Sequence, residues 1–200
     1  MKDADQLYHG YRFPPEIISH AVWLYYRFCL SLRDVEDLLA ERGIAVSYES
    51  IQQWCNRFGP EYARRLKKRQ GRLGETWYLD EVFIKIRGEL NYLWRAVDQD
   101  GDTIDILVQK RRNKAAAKQF FRKLLKGQCQ VPWRMITDKL KSYSAAHRDV
   151  MPSVTHSTEQ YENNRAEVSH EPTRLRERQM RRFKSAGQKG LLSLLVWPRI

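Results

Sequence analysis

The sequence predicts an α/β protein in which a helical N-terminal region precedes a mixed β-sheet flanked by helices. Apolar residues recur at helical spacing through residues 14–58. From residue 75 the pattern changes to aromatic and β-branched runs separated by turn residues. The later elements follow the order β-β-β-α-β-α-β-α, which describes three hairpin-linked strands, a crossover to a fourth strand and helices on the sheet.

Three helices are predicted within residues 1–59. The first, EIISHAVWLYYRFCL, follows Pro14 and Pro15, and the second, SLRDVEDLLAER, has Ser31 as its N-cap. The third, SYESIQQWCNRFG, starts at Ser47 and is expected to end at Gly59. Two helices joined by a short turn are typical of a DNA-binding helix-turn-helix, although a plain three-helix bundle has the same pattern.

The third helix has a polar face that suits DNA. Ile51 and Trp54 are expected in the core, while the opposite side carries side chains that can reach base edges or phosphates: Gln52, Gln53, Asn56 and Arg57. Residues 60–74 follow as a predicted basic linker. Its cations, which include Arg64, Arg65, Lys67 and Lys68, could lie along a phosphate backbone or form an ordinary solvated connector.

Composition favours a polyanionic partner. The formal net charge of the 200 residues is +12, which predicts attraction to double-stranded DNA first and to an acidic membrane surface second. The three cysteines are isolated, which argues against a disulfide scaffold and a structural zinc site. The N-terminus has no apolar signal core, and LLSLLVW is too short to cross a bilayer. We therefore expect a cytoplasmic protein that associates with the nucleoid and not with a membrane.

Residues 75–186 are predicted to form the α/β domain. TWYLDEVFIKI, LNYLWRAVD and TIDILVQK read as an antiparallel meander with turns at Gly88 and at DQDGD. An amphipathic helix, NKAAAKQFFRKLLKG, is capped by Asn113. Then come a short strand WRMITD, a helix KSYSAAHRDVM, a strand SVTHST and a long polar helix over about 163–184.

Three acids stand out in this domain. Asp80 lies in the first strand, Asp138 at the carboxyl end of the fourth, and Glu167 in the closing helix. Carboxylate oxygens are hard ligands that suit Mg²⁺ or Mn²⁺, and three converging acids can hold two such ions for phosphoryl transfer. Taken singly, each acid has a simpler explanation: a solvent-exposed strand end, a helix cap in TDKLKSY and a surface residue.

The closing helix continues from Glu167 into a row of arginines. Arg174 and Arg178 recur at helical spacing, so most of this charge shares one face of the helix. Such a face could position phosphates beside the acids, or it could simply be solvated.

The quoted motifs resemble one known family. WYLDEVFIKIRG, LNYLWRAVDQDG, ITDKLKSY and NNRAEVSHEPTRLRERQMRRFKS are similar to segments of the insertion-sequence-6 group of bacterial DDE transposases. The resemblance implies a ribonuclease H-like catalytic domain behind a helix-turn-helix, with Asp80, Asp138 and Glu167 as the catalytic and metal-binding triad and Arg174 as its basic partner. It also implies replicative transposition through cointegrates, recognition of terminal inverted repeats and action as a homo-oligomer.

The tail, residues 187–200, departs from the family pattern in the way that a frameshift or truncation would leave it. Two other functions stay open at this point. One is a catalytically inactive copy that only binds DNA and represses, and the other is a ribonuclease or repair nuclease with the same fold.

Overall fold

The computed structural model describes residues 7–69, 73–128, 130–159, 161–164, 166, 171, 174, 175 and 178. The chain divides into two compact units, Met1–Lys68 and Arg69–Ile200. The predicted tail, residues 187–200, and most of the closing helix lie outside the described residues. No helix among the described residues has the length and apolar character needed to cross a bilayer.

The first unit is helical. Its helices are α1 (Pro15–Arg27), α2 (Leu32–Ala40) and α3 (Tyr48–Arg69). Ser31 caps α2 through the predicted capping box, since its hydroxyl accepts from the Asp34 amide while the Asp34 carboxylate accepts from the Ser31 amide. The core contains Ile51 and Trp54, as predicted, together with apolar residues of α1 and α2.

The turn between α2 and α3 is held at both ends. Gly43 has a φ of +74°, a left-handed conformation that glycine adopts without steric cost. Glu36 of α2 accepts a hydrogen bond from the Tyr48 amide at 3.2 Å, so it satisfies one of the amides at the start of α3. The short helix, turn and longer helix are thereby fixed as one motif.

The expectation that Gly59 ends the third helix is wrong. Helix α3 continues through Gly59 and Pro60 to Arg69, so residues 60–69 of the predicted linker are helical. Gly59 is needed for packing and not for termination, because a Cβ atom there would lie 2.5 Å from the Tyr26 hydroxyl oxygen. That hydroxyl donates to the Cys55 carbonyl at 2.9 Å and holds α1 against α3.

The second unit is built on a five-stranded mixed sheet. Its strands are β1 (Thr76–Ile86), β2 (Glu89–Asp98), β3 (Thr103–Gln109), β4 (Arg134–Thr137) and β5 (Thr155–Ser157), in the spatial order β3-β2-β1-β4-β5. The first three strands pair antiparallel as predicted, while β4 and β5 add in parallel. This is the mixed sheet of a ribonuclease H-like domain.

Two helices cover one face of the sheet. Helices α4 (Lys114–Gln128) and α5 (Lys141–Val150) occupy the predicted positions, and Asn113 caps α4 by accepting from the Ala116 amide at 3.0 Å. The main core lies beneath them, with Trp77, Trp94 and Tyr143 all fully buried. A smaller apolar cluster lies on the opposite face: Val82, Ile84, Leu93 and Ile106. The sheet is therefore packed on both faces around the middle of β1.

Candidate active site

The pairing of β1 with β4 brings Asp80 and Asp138 together. The two strands run parallel, and their last register pair is Leu79 with Thr137. Asp80 follows Leu79 within β1 and Asp138 follows the last residue of β4, so the two acids sit side by side where β4 ends. Carboxyl ends of parallel strands are the usual position of functional groups in α/β sheets. Two of the three predicted acids therefore meet although they are far apart in the sequence.

A third carboxylate completes this cluster. One oxygen from each of Asp80, Glu81 and Asp138 can be chosen so that all three lie within 4.8 Å of one another. Glu81 was missed as a site residue in the sequence, because neighbouring residues of a strand normally face opposite sides of the sheet. The signal available was the Asp-Glu pair itself, placed in an otherwise apolar strand.

Asp138 is also used for local structure. Its Oδ1 accepts from the Leu140 amide at 3.0 Å and forms a turn ahead of α5. The N-cap of that helix is Leu140, so the simpler explanation of Asp138 as a helix cap is wrong. Its Oδ2 accepts from Arg112 at 3.3 Å. The carboxylate of Asp80 accepts from the Glu81 amide at 2.8 Å. Backbone amides therefore orient both acids, and Arg112 adds an ion pair to Asp138.

Glu81 has the most perturbed carboxyl group of the cluster. Its side chain is 2% exposed, and burial raises its pKa to about 7, with further increases from the charges of Asp138 and Asp80. The Tyr143 hydroxyl and the Arg112 guanidinium oppose this rise. Tyr143 is itself fully buried, and desolvation raises its pKa well above the usual value. The ion pair with Arg112 therefore favours the ionised form of the Glu81 carboxyl group.

Arg112 joins the two ends of the cluster. Its Nε donates to Glu81 Oε1, its Nη2 donates to Asp138 Oδ2, and its guanidinium carbon lies 5.9 Å from the centre of the Phe83 ring. The residue precedes α4 in a short connector and was not singled out in the sequence. One arginine thus pairs with two acids of the cluster that come from different segments of the chain.

The third predicted acid, Glu167, lies outside the described residues. The residues just before it are placed. Asn163 is buried and its Nδ2 donates to the Leu79 carbonyl at 3.0 Å, next to Asp80. Ala166 is also buried. In addition, Arg134 of β4 donates to Glu162 at 2.8 Å. The start of the closing segment is therefore fastened to β1 and β4 beside the acids.

Two histidines in ring contact, His147 and His156, lie next to Thr137, the residue before Asp138. His156 Nε2 is 2.9 Å from the Thr137 hydroxyl, which donates to the Asp138 carbonyl at 2.8 Å. Because that hydroxyl has a single proton, His156 must be the donor to it. The ring of His147 lies 4.9 Å from that of His156, and burial followed by the charge of His147 lowers the pKa of His156 to about 4. A neutral His156 therefore supports the backbone at the end of β4.

The predicted DNA-binding residues divide into three groups. Gln52, Gln53, Asn56 and Arg57 of α3 are exposed. Arg64 and Arg65 are helical and both pair with Glu61, at 2.7 and 2.8 Å, while Lys68 is exposed on the same helix. Arg174 and Arg178 are helical and exposed, and the side chain of Lys67 lies outside the described residues.

Comparison with known proteins identifies the family. Residues 74–190 match the family model DDE_Tnp_IS240, described as a DDE domain. The chain is 34% identical over 170 residues to the transposase for insertion sequence-like element IS431mec of Staphylococcus aureus strain Mu50, covering 82% of this chain and 75% of that protein. It is 33% identical, with the same coverage, to the transposase for insertion sequence element IS257 in transposon Tn4003 of Staphylococcus aureus.

Two solved structures are also similar in outline. The HTLV-2 integrase catalytic core domain in complex with magnesium has 18% identity and a TM-score of 0.41, covering 50% of this chain and 68% of that chain. The catalytic domain of Mos1 mariner transposase has 16% identity and a TM-score of 0.42, covering 68% of this chain and 84% of that chain. The family match and the identity to the staphylococcal proteins carry the assignment: this chain belongs to the insertion-sequence-6 family of DDE transposases, enzymes of metal-dependent phosphoryl transfer on DNA.

Proposed function

We propose that this transposase cuts and joins DNA at Asp80, Asp138 and Glu167, which together hold divalent metal ions. The observation that carries the proposal is the register of β1 and β4, which places the carboxylates of Asp80 and Asp138 side by side. The hydrogen bond from Asn163 to β1 supports the third member, because Glu167 follows only four residues later in a segment that is helical at Asn164 and Ala166.

The donor set fits Mg²⁺ or Mn²⁺. In the described part of the chain the candidate ligands are carboxylate oxygens, which these hard cations prefer, and Arg112 pairs there with Glu81 and Asp138. When bound, such ions make water a stronger nucleophile and stabilise the charge that develops on a phosphate. Asp80, Asp138 and Glu167 would hold the ions. Glu81 would contribute negative charge and, through its ion pair, keep Arg112 in place.

The reaction has two displacements at phosphorus. In the first, water attacks a phosphodiester at the end of the element, so that the bond from phosphorus to the 3′ oxygen breaks and a 3′-OH is released. In the second, that 3′-OH attacks a target phosphodiester and displaces its 3′ oxygen. Arg112, Arg174 and Arg178 would orient the phosphates for both steps, because positioned cations lower the barrier for a charged transition state.

Recognition of the terminal inverted repeats is assigned to α3. The exposed amides and guanidinium of Gln52, Gln53, Asn56 and Arg57 have the chemistry that reads base edges in the major groove. Arg64, Arg65, Lys67 and Lys68 extend the same helix with positive charge suited to phosphates. Because a joining reaction must bring two ends of one element together, we propose that the chain works as a homo-oligomer in replicative transposition in the bacterial nucleoid.

The test separates binding from chemistry. Asp80→Asn and Asp138→Asn should leave binding to a duplex carrying the element's own end unchanged, while Mg²⁺-dependent nicking and strand transfer fall roughly 100- to 1000-fold, the range for loss of one charge-stabilising group. Asp100→Asn, the same change at an exposed aspartate of the β2–β3 turn, is the control. Normal joining by Asp80→Asn would refute the assignment. Binding without nicking by the unmodified chain, in both Mg²⁺ and Mn²⁺, would favour the inactive, repressor-like alternative.

A further inference from the structure

An aromatic pair lies uncovered beside the acids. Phe83 and Tyr92 face each other across β1 and β2, with ring centres 5.2 Å apart. Phe83 is 55% exposed, whereas Trp77 and Leu79, which share its face of β1, are fully buried beneath the helices. The β1–β2 hairpin therefore extends beyond the helical cover and presents a large aromatic side chain to solvent.

Arg112 connects this aromatic pair to the acids. Its guanidinium bonds Glu81 and Asp138 and at the same time lies within cation–π distance of Phe83, 5.9 Å from the ring centre. Phe83 is two residues beyond Glu81, about 7 Å along a strand. That distance is about two nucleotide steps of a stacked DNA strand. A DNA strand with a phosphate at the acids thus has a nearby base within reach of Phe83.

The surroundings favour a nucleic acid over a protein partner. Four cations lie near the aromatic pair: Lys85 is on the same face of β1, and Lys110, Arg111 and Arg112 follow β3. Two of them also pair with acids, Lys110 with Glu89 and Arg112 with Glu81 and Asp138. Lysine is depleted at the centres of protein–protein interfaces, whereas aromatic rings set among cations are typical of sites that bind single-stranded nucleic acid.

We infer that Phe83, backed by Tyr92 and Arg112, is a stacking site for an unpaired nucleobase of the DNA strand held at the catalytic acids. The inference rests on the proposed function and adds a ligand group to it. A base inside a duplex is covered on both faces, so the site selects a base that has left the helix at or next to the cut. Every base has such a face, so the contact adds affinity without sequence preference.

The binding experiment uses the full chain with EDTA present, so that no cleavage occurs. Fluorescein-labelled oligothymidylate about 12 nucleotides long is titrated and followed by anisotropy, since such lengths fill one single-strand site. Phe83→Ala and Phe83→Leu should weaken binding roughly 5- to 100-fold, the range for loss of one stacked base. Phe83→Trp should keep the affinity of the unmodified chain, and the fluorescence of the new tryptophan should be quenched by the DNA.

Two controls separate stacking from charge and from folding. Leu90→Ala removes an apolar side chain, 49% exposed, from the same hairpin and should not change the affinity. An abasic strand of equal length keeps the phosphates and removes the bases, so the unmodified chain and Phe83→Ala should bind it equally. Circular dichroism melting of Phe83→Ala should match that of the unmodified chain because the side chain is half-exposed.

Three results would overturn the inference. These are equal binding of oligothymidylate by Phe83→Ala and the unmodified chain, an effect of Phe83→Ala that persists on the abasic strand, and a loss of oligomer mass in Phe83→Ala without loss of DNA affinity. The last would make Phe83 a contact between copies of the chain. The measurement is independent of catalysis because EDTA prevents cleavage. Failure of stacking would appear in the affinity for oligothymidylate, whereas failure of the acid assignment would appear in Mg²⁺-dependent nicking by Asp80→Asn.

Discussion

The helical unit and the sheet unit use charged residues in opposite ways. On α3, Glu61, Arg64 and Arg65 lie within about one turn of the helix and pair with their own neighbours, and their side chains are 23%, 55% and 38% exposed. In the sheet unit, Glu81, Arg112 and Asp138 come from three separate segments, and the Glu81 side chain is 2% exposed. Charges of the first kind stabilise a fold little, whereas charges of the second kind exist only because the fold assembles them.

The largest expected effect comes from separating the buried pair. Arg112→Leu leaves Glu81 without its counter-charge, and we expect the free energy of unfolding to fall by about 2–3 kcal/mol. This loss is smaller than for a fully buried ion pair because 33% of the Arg112 side chain is exposed. Adding Glu81→Gln should restore part of the loss. Urea denaturation measures both variants.

A matched exposed pair is available for comparison. Lys110 and Glu89 are 3.0 Å apart, with side chains 77% and 67% exposed. Lys110→Leu should change the free energy of unfolding by no more than about 0.5 kcal/mol. If Arg112→Leu and Lys110→Leu cost the same, the contrast between buried and solvated pairs is wrong for this protein.

Packing in the helical unit gives the next largest effect. Gly59→Ala introduces a methyl group 2.5 Å from the Tyr26 hydroxyl oxygen, so we expect a loss of about 2 kcal/mol, as for other overpacked cores. Tyr26→Phe removes that oxygen and should recover some of the loss in the double variant. Thermal melting of the two single variants and the double variant tests this. Additive losses would mean that the methyl group clashes elsewhere.

A pH-dependent effect of intermediate size is expected at His156. Its pKa is lowered to about 4 in the folded chain, against an ordinary value of 6.5, so the unfolded chain binds the proton first. The stabilisation is complete above pH 6.5 and is lost as the pH falls toward 4, on the order of 1–2 kcal/mol for a half-buried group.

The comparison that isolates this effect is with His156→Gln. Glu81 acts in the opposite direction, because its pKa is raised to about 7 and the folded chain takes up that proton first. The difference in melting temperature between the unmodified chain and His156→Gln should therefore shift steadily between pH 6.5 and pH 4. A constant difference over that range would contradict the assignment of the histidine.

The smallest effect on stability is expected at Glu61. Glu61→Gln removes a solvated partner of Arg64 and Arg65, and the free energy of unfolding should change by less than about 0.5 kcal/mol. Binding to non-specific duplex should nevertheless tighten, with a steeper salt dependence, because two arginines become available for phosphates. Glu16→Gln makes the same change of charge at an exposed residue of α1 and is the control. Equal effects of both variants would show that only net charge matters.

The sequence predicted local structure better than the contacts made by distant residues. All five strands and the helices α4 and α5 lie close to where their periodicity placed them. The error at Gly59 arose because glycine before proline normally ends a helix, while here tertiary contact with Tyr26 requires the missing side chain.

The residues of the site also divide into those that the sequence predicted and those that it did not. Asp138 could be predicted because acids gather at the carboxyl ends of strands, and Asp80 because a carboxylate is unusual inside an otherwise apolar strand. Glu81 and Arg112 could not, because their meeting depends on how β1 passes the end of β4 and on the connector that precedes α4. Periodicity describes one element at a time, whereas these contacts arise between elements.

The shortness of β4 has a consequence for how such a site can change. The strand has four residues and stops one position before Asp138. One more ladder pair would draw this aspartate into regular extended backbone, remove its turn to Leu140 and fix its side chain by the alternation of the pleat. A single inserted or deleted residue near position 137 could therefore disable the chemistry while leaving a well-folded protein that still holds DNA.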